Sequence, residues 1–263
     1  MSERPCVRDG AFTRQSFTGA GFTHDVLVAG EGPAVILLHE VSGVSSQCLE
    51  FASRLVVDGF TLFVPVLYGV PGQSSGPLEQ IWGLFCLRRE LHLFARGKTS
   101  PIVKWLHALA DHAAKRTGRE QVGIIGMCLT GGLVFGTLAH PAIGAAVASQ
   151  PSLPAAWWPP KRAAAWADLC LADSDLTEAA ASATPLLALR FKGDPVCPAA
   201  RFCALRERFG TAPEVVEQAG DLEIRRAGRL TTIEIEGDDH AVLTLPHEPA
   251  LDCVTAFLHE HLG

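Results

Sequence analysis

Val122-Gly123-Ile124-Ile125 runs directly into Gly126-Met127-Cys128-Leu129-Thr130-Gly131-Gly132, and from there into Leu133-Val134-Phe135-Gly136-Thr137-Leu138. A short apolar run bounded by glycine reads as a buried strand, the glycine-rich stretch as a tight turn, and the residues from Leu129 to Leu138 as a helix. A cysteine therefore stands at the apex of a strand–turn–helix junction. That geometry lifts the side chain above the edge of a sheet and sets its sulfur near a helix amino terminus. It also aims the backbone N–H of the next residue, Leu129, at the place where an oxyanion would develop. A thiolate is favoured there. The competing reading of Cys128 as a small buried hydrophobe suits an isolated cysteine better than one in this setting.

Outward from this junction, short apolar runs alternate with amphipathic stretches, the pattern that βαβ units leave in a sequence. Ala34–Leu38, Thr61–Val66, Val122–Gly126, Gly144–Ala148 and Leu186–Phe191 read as parallel strands buried on both faces. Helices are predicted over Ser46–Asp58, Ile102–Arg116, Pro198–Phe209 and Pro246–Leu262, and a closing hairpin over Leu222–Arg226 and Thr231–Ile235. With no repeat or low-complexity linker, residues 1–263 are expected to form one α/β domain with a mostly parallel twisted sheet and helices on both faces. Two segments, 68–99 and 151–184, break the rhythm. Both leave carboxyl ends of strands, where open α/β sheets bind ligands, and are expected to be pocket walls or a lid.

Composition narrows the function classes. Of 263 residues 48% are hydrophobic and 19% charged, the latter below the roughly 25% of an average soluble domain, so a large core is expected. With 22 Lys plus Arg against 28 Asp plus Glu, net charge −6 and no long basic run, nucleic acid is not an expected partner. The polar start, Met1 to Asp9, lacks the apolar stretch of a secretory signal, and Leu133–Ala148 is broken by His140-Pro141, so neither export nor a membrane span is expected. Cysteines 6, 48, 86, 128, 170, 197, 203 and 253 never adopt C-x-x-C spacing, which fits reduced cytoplasmic thiols rather than zinc or disulfides.

In an elbow of this kind the acid and then the histidine follow the nucleophile along the chain. Strand 186–191 ends in Lys192-Gly193-Asp194-Pro195-Val196-Cys197-Pro198, which puts Asp194 on a turn at a strand's carboxyl end. Its alternative role is that of a turn or capping aspartate. The last strand ends in Glu236-Gly237-Asp238-Asp239-His240, placing His240 at the same edge. His107 and His112 fall on a helix, and His247, His259 and His261 lie in or beside the last one. Asp238 and Asp239 adjoin His240 and are worse placed to orient its ring than a residue from another loop.

These stretches resemble the dienelactone hydrolase family of the α/β-hydrolase superfamily. The family elbow is G-x-C-x-G-G, against Gly126-Met127-Cys128-Leu129-Thr130-Gly131 here. Its acid lies in a G-x-D-x-x-V-P-type loop, matched by Gly193-Asp194-Pro195-Val196-Cys197-Pro198, and its histidine in a G-x-x-H loop, matched by Gly237-Asp238-Asp239-His240. Leu37-Leu38-His39-Glu40-Val41-Ser42-Gly43 resembles the family's E-x-x-G segment. The similarity runs over roughly residues 24 to 260. It implies an α/β-hydrolase fold and a Cys128–His240–Asp194 triad. It further implies that Glu40 contacts the cysteine and helps activate it when substrate binds, and that the Val41 N–H completes an oxyanion hole with Leu129. From the residues alone Glu40 would be an ordinary loop carboxylate.

Two positions depart from the family pattern. Thr130 stands where the elbow has glycine. Thr244 stands four residues after His240, where dienelactone-cleaving members carry one of two arginines that hold the substrate carboxylate. The other arginine would come from the segment after strand 61–66, where Arg88-Arg89-Glu90 offers Arg89 as the candidate. The resemblance therefore implies hydrolysis of a small ester or lactone by a monomer or homodimer, with no metal or organic cofactor. The alternatives are a carboxylesterase or thioesterase for a less anionic acyl substrate, and a ligand-binding protein that keeps the fold without turnover.

Overall fold

A computed structural model of the chain describes residues 12–74, 76, 99–152, 167–169, 171–245 and 247–263. Ten strands make one sheet: β1 (Thr13–Gly19), β2 (Phe22–Ala29), β3 (Ala34–Leu38), β4 (Thr61–Val66), β5 (Val122–Met127), β6 (Ile143–Ser149), β7 (Leu186–Phe191), β8 (Val215–Ala219), β9 (Leu222–Ala227) and β10 (Leu230–Ile235). The described helices are α1 (Ser46–Val57), α2 (Ile102–Thr117), the short α3 (Gly131–Phe135), α4 (Asp173–Ala181), α5 (Ala199–Phe209) and α6 (Glu248–Leu262). The sheet order is β1-β2-β4-β3-β5-β6-β7-β10-β9-β8. β4, β3, β5, β6, β7 and β10 run parallel, and antiparallel strands close both ends. This is the mostly parallel sheet of the α/β-hydrolase fold.

The central strands are mostly apolar because both faces are covered, with Arg190 and Glu234 as the buried charged exceptions. Along β3, Ala34, Ile36 and Leu38 enter the core under α2, α3 and α5, while Val35 and Leu37 enter the one under α1 and α6. The helices begin and end where local chemistry allows. Ser45 caps α1 by accepting the Cys48 N–H at 3.2 Å, and Gly118, at φ +66°, ends α2 in the left-handed conformation that costs glycine little.

Register makes the carboxyl ends of the parallel strands nearly flush. Leu38 pairs with Gly126, Met127 with Ser149, Ser149 with Leu189, and Phe191 with Ile235. The segments leaving these ends, at 39–41, 128–130, 150–152, 192–197 and 236–240, therefore gather at one edge.

The helix expected over 129–138 is broken. Cys128–Thr130 is a 3₁₀ turn, α3 stops at Phe135, and turns lead to β6. Gly136 follows Phe135 and Pro141 lies beyond it, so a continuous helix loses both propensity and a backbone donor there. The β1–β2 hairpin and β8 were absent from the sequence reading. β1 alternates half-buried and exposed residues, and β8 is exposed along its whole length, so neither carries a strong apolar signal. Of the two expected lid segments, 75, 77–98, 153–166 and 170 lie outside the described residues, while Asp173–Ala181 is helical.

Candidate active site

Cys128 sits at φ +55°, one of three described non-glycine residues with positive φ, beside Ala20 and Gln150. Such conformations cost a non-glycine residue on the order of 1–3 kcal/mol and persist only where the surroundings enforce them. Here the surroundings are tight. A Cβ on Gly126 would lie 2.4 Å from the Thr130 carbonyl oxygen and 2.7 Å from Val134 Cγ2, and one on Gly131 would lie 2.9 Å from Pro151 Cα. Glycine is required at both.

Thr130 has a role that glycine could not fill. Its Oγ1 accepts the Met127 N–H at 3.0 Å and lies 3.0 Å, 3.1 Å and 3.3 Å from the carbonyl oxygens of Met127, His39 and Leu38. The hydroxyl ties the elbow to the end of β3. Ser152 closes the other side. Its N–H donates to the Cys128 carbonyl at 2.9 Å, and its Oγ lies 3.1 Å from Sγ, with either atom able to donate.

Asp194 and His240 meet across two loops. Asp194 Oδ1 accepts the N–H groups of Val196 at 2.7 Å and Cys197 at 3.1 Å, while Oδ2 lies 2.7 Å from His240 Nδ1. One oxygen thus caps the turn and the other orients the ring, so the two roles weighed for Asp194 use different atoms. The loops are joined by backbone bonds, Gly193 N–H to the Gly237 carbonyl at 2.8 Å and Lys192 N–H to the Ile235 carbonyl at 2.8 Å. Burial alone would lower the pKa of His240, but the Asp194 carboxylate, followed by the Cys128 sulfur, reverses this and pushes it up to about 10. Its buried Nε2 makes no hydrogen bond among the described residues.

Glu40 follows β3 and is not bonded to sulfur. Its Oε1 accepts from Gln150 Nε2 at 2.8 Å and from Thr244 Oγ1 at 3.1 Å. Burial raises its pKa, and these two donors together with the charge of His240 only partly offset the rise. Gln150, fully buried at φ +32°, is itself fixed by Ser149 Oγ donating to its Oε1.

The Glu40–Val41 peptide is clamped from one side. Leu67 N–H donates to His39 Nε2 at 3.2 Å, so the proton of this buried ring lies on Nδ1, which donates to the Glu40 carbonyl at 2.7 Å. Burial holds the His39 pKa down to about 4, which keeps the ring neutral. Gly43 N–H adds a second bond to the Glu40 carbonyl at 3.0 Å, and Tyr68 OH donates to the Val41 carbonyl at 2.5 Å. In a trans peptide the C=O and N–H point opposite ways, so anchoring the Glu40 oxygen turns the Val41 N–H away from these donors. Leu129 is buried in the turn that follows Cys128.

The structure thus brings Cys128, Asp194, His240, Glu40, Val41, Leu129 and Thr244 to one edge, whereas Arg88 and Arg89 lie outside the described residues. Ser152, Gln150, His39 and Tyr68 were missed in the sequence. The polar residues Ser149, Gln150 and Ser152 closing an otherwise apolar strand, and a histidine directly after another, were the available signals. Among the described residues there is no cluster of His, Cys, Asp and Glu able to hold a metal, and no helix long and apolar enough to cross a membrane.

A cysteine elbow at the carboxyl edge of a ten-stranded, mostly parallel sheet, with a hydrogen-bonded Asp–His pair on neighbouring loops, defines an α/β-hydrolase-fold protein. More narrowly, the chain belongs to the dienelactone hydrolase family, whose sequence pattern matches residues 23–217. It is 26% identical over 125 residues to a Synechocystis sp. protein named "Putative carboxymethylenebutenolidase". That alignment takes in 46% of this chain and 49% of the relative, so it spans about half of each. The fold is similar to that of a Klebsiella pneumoniae protein described as "Putative Dienelactone Hydrolase" (TM-score 0.64, 20% identity, 95% of this chain and 98% of the other). It is similar also to that of the Pyrococcus furiosus esterase Pf2001 (TM-score 0.60, 15% identity, 96% of this chain and 93% of the other).

Proposed function

We propose that the chain hydrolyses small esters or lactones through Cys128, His240 and Asp194. The observation that carries this reading is the 2.7 Å bond from His240 Nδ1 to Asp194 Oδ2 beside a cysteine held at φ +55° in a strand-to-helix turn. With Nδ1–H donated to the carboxylate, Nε2 is left to exchange protons with sulfur, leaving group and water.

In the first half-reaction the Cys128 proton passes to His240 Nε2 as Sγ attacks the acyl carbon, and the carbonyl oxygen takes the negative charge between the N–H groups of Val41 and Leu129. Collapse breaks the acyl–oxygen bond, and the alkoxide leaves with the proton from His240 Nε2. In the second half-reaction Nε2 takes a proton from water as the hydroxide attacks the thioester. The acid departs, and the proton returns to sulfur. A single oxyanion donor of this kind contributes roughly 2.7–4 kcal/mol, so loss of the Val41 orientation alone would slow turnover a hundredfold or more.

Apart from His240, which the reaction uses, the residues around Cys128 favour a less anionic acyl group. His39 is neutral, Thr244 and Gln150 are engaged with Glu40, and the pKa of Glu40 is raised, so none of them offers a cation to a substrate carboxylate. Arg89 is the proposed anchor for any anion that binds. The five described cysteines, 48, 128, 197, 203 and 253, are free, which supports a proposed place in a reducing cytoplasm.

Mixing the enzyme with an activated ester such as p-nitrophenyl acetate tests the reading. The expected result is a burst of nitrophenol equal to the enzyme concentration, an acetyl mass increment on the Cys128 peptide, and neither in Cys128→Ala. A burst that survives in Cys128→Ala would move the nucleophile elsewhere.

A further inference from the structure

β7 carries one charged residue among Leu186, Leu187, Ala188, Leu189 and Phe191, and that residue, Arg190, is 2% exposed. Taking a guanidinium out of water costs several kcal/mol unless its donors are satisfied in good geometry. Part of the compensation is an ion pair between neighbouring strands. Nε and Nη2 both donate to Glu234 Oε1, the former at 2.9 Å, and Arg206 Nη1 from α5 takes the other carboxylate oxygen at 3.2 Å. Arg190 and Glu234 are directly paired in the β7–β10 ladder, so this contact alone would explain a residue that merely joins two strands.

The remaining nitrogen does something else. Nη1 lies within hydrogen-bond distance of three backbone carbonyls: Phe191 at 3.2 Å, Lys192 at 3.1 Å and Cys197 at 3.2 Å. These carbonyls stand on either side of Asp194 in the chain, so one nitrogen closes the loop that carries the acid. The guanidinium plane is held in turn by the Phe202 ring, 5.2 Å from Cζ to the centroid. Cys197 is gripped at both ends, its N–H by Asp194 Oδ1 and its C=O by Arg190 Nη1.

We propose that Arg190 is a positioning residue for catalysis, a buried clamp that closes the 191–197 loop and so delivers Asp194 Oδ2 to His240 Nδ1. The proposal rests on the Cys128–His240–Asp194 reading and adds to it a residue that touches neither substrate nor reacting atoms. A planar fork is needed, because one nitrogen reaches three carbonyls only while the other two donors fix its plane against Glu234 and Phe202. A lysine cannot do this.

Two variants separate positioning from stability. Arg190→Lys keeps the charge and loses the fork. Arg190→Met/Glu234→Leu replaces both partners of the buried pair by apolar residues of similar size, a change that is often neutral for stability. In both, kcat is expected to fall by about ten- to a hundredfold, the scale of a displacement near 1 Å, with KM little changed. The proton between His240 Nδ1 and Asp194, read by NMR far downfield of the amides, should broaden or vanish. The pKa of His240 should drop below about 10 as Asp194 withdraws, with Cys128 and Glu40 left as its titratable neighbours. The double variant should show these changes at a melting temperature close to wild type. Wild-type kcat with the downfield resonance intact in the double variant would overturn the clamp and leave Arg190 a strand-joining ion pair. Asp194→Asn is run alongside: full turnover there would sink the triad reading instead, and the resonance in the Arg190 variants would still report on the loop.

Discussion

Thr244 Oγ1 donates to Glu40 Oε1 at 3.1 Å, on the same oxygen that accepts from Gln150 Nε2 at 2.8 Å. Two donors on one carboxyl oxygen leave Oε2 to carry the proton when Glu40 is neutral. Ionised, Glu40 opposes a second negative charge forming nearby on sulfur. Its raised pKa therefore divides the pH scale. Below it wild type and Glu40→Gln should lose activity to iodoacetamide at equal rates; above it wild type should react more slowly than the variant. Thr244→Val removes a donor that stabilises the carboxylate, and should move the divergence to higher pH. Equal rates for wild type and Glu40→Gln across the whole range would take Glu40 out of the control of the thiol.

His240 makes stability depend on pH in a definite direction. Its pKa is raised from 6.5 to about 10 by Asp194 and Cys128 against the opposing effect of burial. A histidine that binds its proton more tightly when folded adds stability that is complete below pH 6.5 and is lost as pH rises towards 10. The melting temperature of wild type should therefore fall over that interval. The fall should be smaller in His240→Ala and in Cys128→Ala, which lacks the sulfur. Parallel curves for wild type and His240→Ala would show that the imidazolium is not held in the resting protein.

The two oxygens of Asp194 predict different outcomes for two replacements. Asn keeps an acceptor for the Val196 and Cys197 N–H groups and so should keep the fold. Opposite Nδ1, however, it presents an amide that favours the wrong imidazole tautomer, and kcat should fall by up to about 10⁴. Ala loses activity and also leaves the buried Cys197 N–H, and the part-buried Val196 N–H, without an acceptor, at about 1–3 kcal/mol for the buried one. Thermal melts with activity assays check this. Asp194→Ala as stable as Asp194→Asn would mean that the turn does not depend on Oδ1.

Much of this was legible because buried parallel strands and an elbow impose strict local sequence. The five strands from Ala34–Leu38 to Leu186–Phe191 are apolar runs broken only by Thr61 and Arg190, and Gly126 and Gly131 are compelled by backbone within 3 Å of where a Cβ would stand. Asp194 and His240 could be found because they follow strand ends. The interactions that join loops from distant parts of the chain left little trace. Thr130 read as a departure from a pattern, yet it stitches the elbow to β3, and Arg190 read as part of a strand because its partners, Glu234 and the Cys197 carbonyl, come together only in the fold. Periodicity reports which side of an element is buried and says nothing about which carbonyl a buried donor will meet.

The same Thr244–Glu40 contact carries a prediction about substrate choice. An arginine at position 244 would offer a charge-assisted, often bidentate, grip on a carboxylate, whereas Thr244 offers one neutral donor that Glu40 already takes. A hydrogen bond to a charged group contributes roughly 1.5–3 kcal/mol, so its absence should cost about one to two decades of affinity for a lactone bearing a carboxylate. The methyl ester of such a lactone acid should thus be turned over with higher kcat/KM than the acid itself. Thr244→Arg should narrow or reverse the gap, because it adds a cation and also frees Glu40 from one of its two donors. Arg89→Ala should remove whatever preference for the acid remains. Measuring kcat/KM for the acid and its ester in wild type, Arg89→Ala and Thr244→Arg decides the matter. A strong preference for the acid that persists in Arg89→Ala would place the carboxylate on a residue other than these two.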